Sequence, residues 1–187
     1  MPLAGYFMAV DRVEKRLRRV AAALDAAQVP YAVVGGNAVA SWVARMDPSA
    51  TRATKDVDLL VRRADLPAIT ASLTAIGLTR EDLQSLVLFV DPEEPSRKAG
   101  VHLVWAGEKV RPSYDTPAPD VSEAERDPEG FAVLSLAALV RMKLTSFRDI
   151  DRVHIADMRS VGLITPAVRA SLPTALRERL DSIDSED

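Results

Sequence analysis

The sequence predicts an α+β protein, in which a small mixed β-sheet is packed by helices and followed by a C-terminal helical extension. In the first part of the 187-residue chain, short β-prone runs alternate with amphipathic helical stretches. The last third carries helical patterns. Hydrophobic residues make up 48% of the composition and charged residues 27%, which is the balance of a folded domain rather than a disordered chain.

The composition excludes several kinds of site. The chain contains no cysteine, so disulfides, thiolate metal sites and cysteine nucleophiles are ruled out, and any metal must be bound by oxygen or histidine. A net charge of -3 argues against generic tight binding to nucleic acid. No apolar run approaches the roughly 18 residues that would span a membrane, and charged residues soon follow the apolar start. We therefore expect a cytoplasmic protein with no membrane partner.

The first elements are predicted to be a helix, a strand and a second helix. Between about Met8 and Gln28, apolar residues recur at spacings of three and four and form one helical stripe. The stripe consists of Val10, Val13, Leu17, Val20 and Leu24. Pro30 ends this pattern, Tyr31–Val34 is β-prone, and residues 37–45 have a helical pattern after a pair of glycines.

The middle of the chain adds strands and one helix. Residues 46–55 lack periodicity and are predicted to form a loop that leads into a strand over Val57–Val61. A helix is predicted to begin after Asp65 and to end near Gly77. Two further strands are predicted, with a polar, hairpin-like connection between them at residues 91–99. These strands are Leu86–Val90 and Val101–Trp105.

A proline-containing segment gives the best internal boundary. Residues 111–130 hold four prolines among polar groups, and we expect them to run over the surface as a connection. Residues 1–110 would then form the core with its N-terminal helix, and residues 131–187 a helical part packed on that core in one compact unit. Its helices are predicted at residues 135–147, 149–161 and 166–180.

The glycine pair Gly35-Gly36 lies between the first strand and the helix that follows. Glycines in this position let the chain turn sharply and bring backbone N–H groups close to an anion, and the helix N-terminus adds positive partial charge. The conformational needs of a strand-to-helix turn explain such a pair equally simply. A binding site is indicated only if a second motif lies beside it.

Asp56-Val57-Asp58 is that second motif. Because side chains alternate along a strand, both carboxylates point to one face while Val57 points into the core. Together with the phosphates of a triphosphate, two such oxygen ligands suit Mg²⁺. The alternative is a solvated strand edge or turn, which is the commoner setting of an isolated Asp-x-Asp.

Together the two motifs resemble the signature of the nucleotidyltransferase superfamily, which has the DNA polymerase β-like fold. That signature is an apolar residue followed by two small residues, a helix, and an apolar-flanked Asp-x-Asp, here Val34-Gly35-Gly36 and Asp56-Val57-Asp58-Leu59-Leu60. The preceding Arg52-Ala53-Thr54-Lys55 is similar to the lead-in of the branch that includes AbiEii-type and MenA-like toxins. The resemblance covers most of residues 30–160.

The resemblance implies transfer of a nucleoside monophosphate from a triphosphate to an acceptor hydroxyl, with release of pyrophosphate. Asp56 and Asp58 would bind divalent metal, Mg²⁺ or Mn²⁺, because positioning and charge stabilisation by metal ions drive this chemistry. Backbone N–H groups of the glycine pair would bind the β- and γ-phosphates. The residues assigned to nucleotide binding are Gly35, Gly36, Asn37, Thr54 and Lys143.

A downstream helical pair extends the resemblance to the toxin branch. Lys143, Arg148-Asp149 and Asp157 follow the order of a lysine, an Arg-Asp pair and a final aspartate in that branch. The resemblance implies that Lys143 neutralises triphosphate charge and that Asp157 orients an acceptor or a basic side chain, which makes both candidate catalytic residues. A solvated helix face with surface ion pairs explains the same residues as well.

His102 departs from the signature. The superfamily carries a third carboxylate on a later strand, and the matching strand here is Val101–Trp105, with histidine in the place of the acid. Because imidazole binds some divalent metals, His102 is a candidate third metal ligand beside Asp56 and Asp58. It fits equally well as a histidine held by hydrogen bonds at the rim of the cleft.

Three functional hypotheses follow. The first is a nucleotidyltransferase whose acceptor is RNA, a protein or a small molecule. The second is a degenerate module that binds a nucleoside triphosphate without turnover, because histidine replaces the usual acid. The third is a component of a toxin–antitoxin pair, with a cognate antitoxin or toxin as its partner.

Overall fold

The computed structural model describes residues 3–183, with side chains from residue 11 onward. The side chain of Val10 and the end of the acidic tail, where fraying is predicted, lie outside the described residues. The helices are α1 Leu3–Ala26, α2 Gly35–Ala44, α3 Leu66–Ala75, α4 Leu136–Ser146, α5 Asp149–Ser160, α6 Pro166–Ala170 and α7 Thr174–Ser182. The strands are β1 Tyr31–Val34, β2 Val57–Val61, β3 Thr79–Leu83, β4 Leu86–Val90, β5 Val101–Trp105, β6 Ala124–Arg126 and β7 Ala132–Leu134.

These strands form one sheet in the order β3-β4-β5-β2-β1-β7-β6. β2 lies between β1, to which it is antiparallel, and β5, to which it is parallel. A parallel pair needs a long connection, which α3 and the hairpin of β3 and β4 provide here. β4 runs antiparallel to β5, as the predicted connection at residues 91–99 requires. The prediction of a mixed sheet packed by helices is therefore confirmed.

The helices bury their apolar faces against this sheet and against each other. The predicted stripe of α1 is buried wherever its side chains are described, at Val13, Leu17, Val20 and Leu24. α1 packs on α3 and β2, whereas α2 packs on β1, β2 and α5. α4 contacts both α5 and α7, which fixes the C-terminal helices. Within residues 3–183, no helix is both long enough and apolar enough to cross a membrane.

Three short strands were not predicted. β3 is polar, and its pairing with β4 rather than any apolar period makes it a strand. β6 and β7 have three residues each, too few for a recognisable alternation. β6 lies inside the segment 111–130, which we expected to cross the surface only. That segment also buries Ala118 and Val121, so it contributes to the core as well as connecting its neighbours.

Candidate active site

The turn from β1 into α2 is shaped by Gly35. Its φ of +67° is in the left-handed region, where only glycine is free of strain. β1 and β2 are antiparallel with Val34 opposite Asp58, so the turn lies directly beside the Asp58 side chain. A Cβ atom on Gly35 would stand 2.0 Å from Oδ2 of Asp58. The site therefore requires glycine here for its backbone conformation and for its lack of a side chain.

The second aspartate, Asp56, is held at the entrance to β2. Thr54 Oγ1 donates a hydrogen bond of 2.8 Å to Oδ1 of Asp56. The amide of Asn37, in the first turn of α2, donates a 2.6 Å bond to the backbone carbonyl of Asp56. Gly36 packs closely on the same threonine, because a Cβ atom there would lie 3.1 Å from Thr54 Cβ. Asn37 and Thr54 thus brace the strand that carries the carboxylates.

His102 stands beside Asp58 on the neighbouring strand, because β5 pairs in parallel with β2 in the register Asp58 to His102. Its Nδ1 lies 3.3 Å from Oδ1 of Asp58 and 3.7 Å from Oδ2 of Asp56. Its Nε2 is 2.7 Å from the carbonyl oxygen of Arg97, which can only accept, so Nε2 carries a proton. Hydrogen bonding to Asp58 raises the pKa of His102 above its usual value, against the opposing effect of burial.

These three side chains form a set of donors that fits a metal ion. One ligand atom from each of Asp56, Asp58 and His102 lies within 4.8 Å of the others. All three side chains are only partly buried, so phosphate or water can complete the coordination. His102, the candidate third metal ligand, therefore lies next to the two carboxylates and offers an imidazole nitrogen rather than a carboxylate oxygen.

A cavity of about 340 Å³ opens beside this cluster. One part of its lining is the glycine turn with Asp58 and His102. The rest comes from α4, the start of α5, the turn between β3 and β4, and the segment that follows β5. The charged and aromatic polar side chains in its lining are Asp58, His102, Arg111, Tyr114, Lys143, Arg148 and Asp151. Three of these are cationic side chains, as a site for phosphate requires.

Lys143 reaches the cavity from α4, but its charge is balanced by a residue that sequence reasoning missed. Its Nζ lies 2.9 Å from Oδ1 of Asp151, and the two side chains are 6% and 1% exposed. Arg148 Nε and Ser146 Oγ donate to the other oxygen of Asp151 at 2.8 and 2.6 Å. Burial alone would raise the pKa of Asp151, but these bonds and the Lys143 charge outweigh it and lower that pKa well below its usual range.

The resemblance had matched Asp149, rather than Asp151, to the acid beside Arg148. Asp149 is exposed, whereas Asp151 is the third residue of α5 and accepts a bond from the backbone N–H of Arg148. A capping position of this kind is readable from sequence, since an acidic residue three positions after a helix start is a known signal. Its burial against Lys143 is not.

Asp157 does not reach the cavity. Its Oδ2 accepts a 2.5 Å bond from Nε of Arg52, so it pairs with the arginine of the predicted lead-in motif. The two residues line a small recess with Gly36, Thr54 and His154, behind the glycine turn. Burial, and then the charge of Lys143, lower the pKa of His154 to about 4.

No protein-family model matches the chain, and no curated protein sequence matches it. It is similar to an antigenic nucleotidyltransferase-like protein from Paracoccidioides brasiliensis, with 17% identity, a TM-score of 0.62, and coverage of 95% of this chain and 89% of that one. It is similar to ANT(2")-Ia in complex with adenylyl-2"-tobramycin, with 17% identity, a TM-score of 0.53 and coverage of 94% and 98%. It is also similar to the lincosamide antibiotic adenylyltransferase LnuA in its lincomycin-bound form, with 14% identity, a TM-score of 0.50, and coverage of 79% of this chain and 97% of that one. The protein therefore has the predicted nucleotidyltransferase fold.

Proposed function

We propose that this protein transfers a nucleoside monophosphate from a nucleoside triphosphate to an acceptor hydroxyl. The observation that carries the proposal is the position of Asp58, which faces the left-handed glycine turn on one side and His102 on the other. In the transfer, the acceptor oxygen bonds to the α-phosphorus, and the bond from that phosphorus to the bridging oxygen breaks. Pyrophosphate leaves with the electron pair, and the hydroxyl proton passes to a base.

Asp56, Asp58 and His102 are the residues that would hold divalent metal in this reaction. A bound ion would supply neutralisation of phosphate charge and polarisation of the reacting oxygens. Thr54 and Asn37 keep the Asp56 strand in place, so their contribution to nucleotide binding is to position the metal ligands.

The phosphates would lie between the start of α2 and the cationic side of the cavity. Backbone N–H groups at Gly35 and Gly36 belong to the first turn of α2, where they have no intrahelical acceptor. Lys143 and Arg148 line the same cavity as Gly35, and Arg148 retains exposed surface beyond its contact with Asp151. We assign Lys143 to charge neutralisation with Asp151 as its positioning partner, and Asp157 to holding Arg52 behind the glycine turn.

A small molecule is the acceptor that the comparisons favour. ANT(2")-Ia carries an adenylylated tobramycin in the matching solved structure, and LnuA carries lincomycin. RNA and protein hydroxyls remain the other acceptor classes for testing, because the lead-in arginine and Thr54 also occur in the pattern of the toxin branch. A cognate antitoxin or toxin would then copurify with the protein.

The direct test is transfer of label from α-labelled nucleoside triphosphates. Each of the four nucleotides is incubated with small hydroxylated compounds, RNA and total protein, in Mg²⁺ and separately in Mn²⁺. We expect labelled acceptor with at least one combination, and loss of about a hundredfold or more in Asp56→Asn and in Asp58→Asn. Asp82→Asn is the control, because Asp82 is an exposed residue on the edge strand β3.

The same experiment separates the enzyme from a degenerate binding module. Calorimetry with a triphosphate and metal measures binding without turnover. Binding that yields no product with any acceptor would overturn the transferase proposal and support the module. In that case His102→Asp, which restores the missing carboxylate, is expected to yield labelled product.

A further inference from the structure

The cluster of Asp56, Asp58 and His102 carries two negative charges close together, and a cation would neutralise them. Two carboxylates lie within 3.7 Å of Nδ1 of the histidine. Because Nε2 donates its proton to the Arg97 carbonyl, the neutral ring presents its Nδ1 lone pair to those carboxylates. A lone pair and two anions repel each other, so this arrangement favours a positive charge at Nδ1, either a proton that is donated to Asp58 or a metal ion.

The ring is held in this orientation by backbone rather than by a flexible side chain. The Arg97 carbonyl belongs to a 3-10 turn, Arg97–Ala99, and it also accepts a 3.2 Å bond from the backbone N–H of Gly100. A Cβ atom on Gly100 would approach this carbonyl oxygen to 3.2 Å. Metal-binding histidines are commonly oriented in this manner, with the second ring nitrogen donating to a backbone carbonyl. The ring of His102 is thus prepared to bind a metal through Nδ1.

We infer that the cluster binds a first-row transition metal, Mn²⁺, Co²⁺ or Zn²⁺, in preference to Mg²⁺, with Nδ1 of His102 as a ligand. Mg²⁺ demands oxygen ligands, whereas imidazole suits the softer divalent ions. One nitrogen and two carboxylates therefore favour the transition metals, and the affinity is expected to rise from Mn²⁺ to Co²⁺ and Zn²⁺. The inference rests on the proposed function for the presence of a cation here, but it concerns which ion is bound.

The test follows the ring-nitrogen NMR signals of the two histidines in the full-length, ¹⁵N-labelled protein. Long-range ¹H–¹⁵N spectra are recorded during titration with Zn²⁺, which is diamagnetic, and with Mg²⁺. We expect Zn²⁺ to move the Nδ1 signal of His102 while the proton stays on Nε2, and Mg²⁺ at the same concentration to leave it in place. His154 lies in α5 and serves as the internal reference.

Calorimetric titration with Mg²⁺, Mn²⁺, Co²⁺ and Zn²⁺ measures the preference itself. Replacement of the histidine in His102→Asp is expected to lower the ratio of Zn²⁺ affinity to Mg²⁺ affinity by at least about tenfold. Asp56→Asn is the matched variant, since it lowers the affinity for every metal ion and leaves the imidazole of His102 in place.

Two results would overturn the inference. One is equal affinity of the wild-type protein for Mg²⁺ and Zn²⁺. The other is a His102 Nδ1 signal that Zn²⁺ leaves unmoved, or that remains protonated in its presence, which would make the proton the cation of the cluster. Neither readout needs turnover, so absence of labelled product with Zn²⁺ bound at His102 would count against the transferase alone.

Discussion

Gly35 adopts a φ of +67° directly after β1, with the space of its missing side chain occupied by the Asp58 carboxylate. Two costs would therefore arise from any side chain at this position. The left-handed conformation costs an L-residue about 1–2 kcal/mol, and the new Cβ would push Asp58 away from His102. The first cost lowers stability and the second changes the site, so the two are separable by experiment.

Gly35→Ala is expected to destabilise the fold modestly and to reduce labelled product by at least about a hundredfold, since a displacement of about 1 Å in the site is enough for that loss. Chemical denaturation and the transfer assay measure the two effects. Gly77→Ala is the matched control, because Gly77 has a φ of +87° and no atom of the described residues lies within 4 Å of the place that a Cβ would take. It should lower stability without lowering activity. Equal activity in both variants would show that the glycine turn does not position Asp58.

Sequence analysis predicted the candidate site residues whose positions follow from the alternation of side chains along a strand. Side chains alternate along β2 and the extended residue that leads into it, which places Asp56 and Asp58 on one side, and β5 then brings His102 beside Asp58. Asp151 was missed because its importance depends on burial: a single turn between two helices places it against Lys143, and no local pattern encodes that contact. Asp157 was expected to orient an acceptor or a basic side chain, and it pairs with a basic residue, Arg52, in a contact across 105 residues of sequence.

At the scale of elements, α4 and α5 are joined by a short corner whose polar groups converge on one carboxylate. Phe147 follows α4 as its C-cap, in the left-handed conformation with a φ of 47°, and Arg148 is the N-cap of α5. Asp151 accepts bonds from both sides of this corner, through Lys143 and Ser146 of α4 and through Arg148. The corner therefore fixes the position of Lys143 in the cavity wall.

Asp151→Asn is expected to destabilise the protein by about 3–5 kcal/mol, because it leaves the Lys143 ammonium buried without its counter-ion. Denaturant unfolding measures this loss. The double variant Lys143→Met with Asp151→Asn should recover much of it, since it leaves no buried unpaired ion: Arg148, which also loses its partner, is 54% exposed. Asp181→Asn breaks the exposed pair with Arg169 and should leave the free energy of unfolding nearly unchanged. An additive double variant would mean that the two charges do not interact.

The elements themselves were predicted where an apolar period exists and missed where pairing alone defines them. β1 and β2 match the predicted bounds because both are buried runs. β3 has exposed charged residues and is a strand only because β4 provides its hydrogen-bonding partner. β6 and β7 extend the sheet beyond β1 through a parallel contact of β7, which no short-range pattern specifies.

At the scale of the whole molecule, the two histidines make stability depend on pH in opposite directions. His154 has a pKa lowered to about 4, so between that value and its unfolded value of 6.5 the unfolded chain binds the extra proton. Stability is then lost as the pH falls through this range. His102 has a raised pKa, so its contribution is present below 6.5 and is lost as the pH rises through the folded value. In metal-free protein, the histidines therefore favour maximum stability near pH 6.5.

The free energy of unfolding, measured in chelator from pH 4 to pH 8, should fall on the acidic side by up to about 3 kcal/mol, at 1.36 kcal/mol for each unit of the His154 shift. His154→Gln is expected to flatten this acidic limb and to leave the alkaline limb in place. His102→Gln should do the reverse, because its ring no longer gains a proton between Asp56 and Asp58. If both variants keep the wild-type acidic slope, the proton uptake belongs to carboxylates, and the burial of His154 has no energetic consequence.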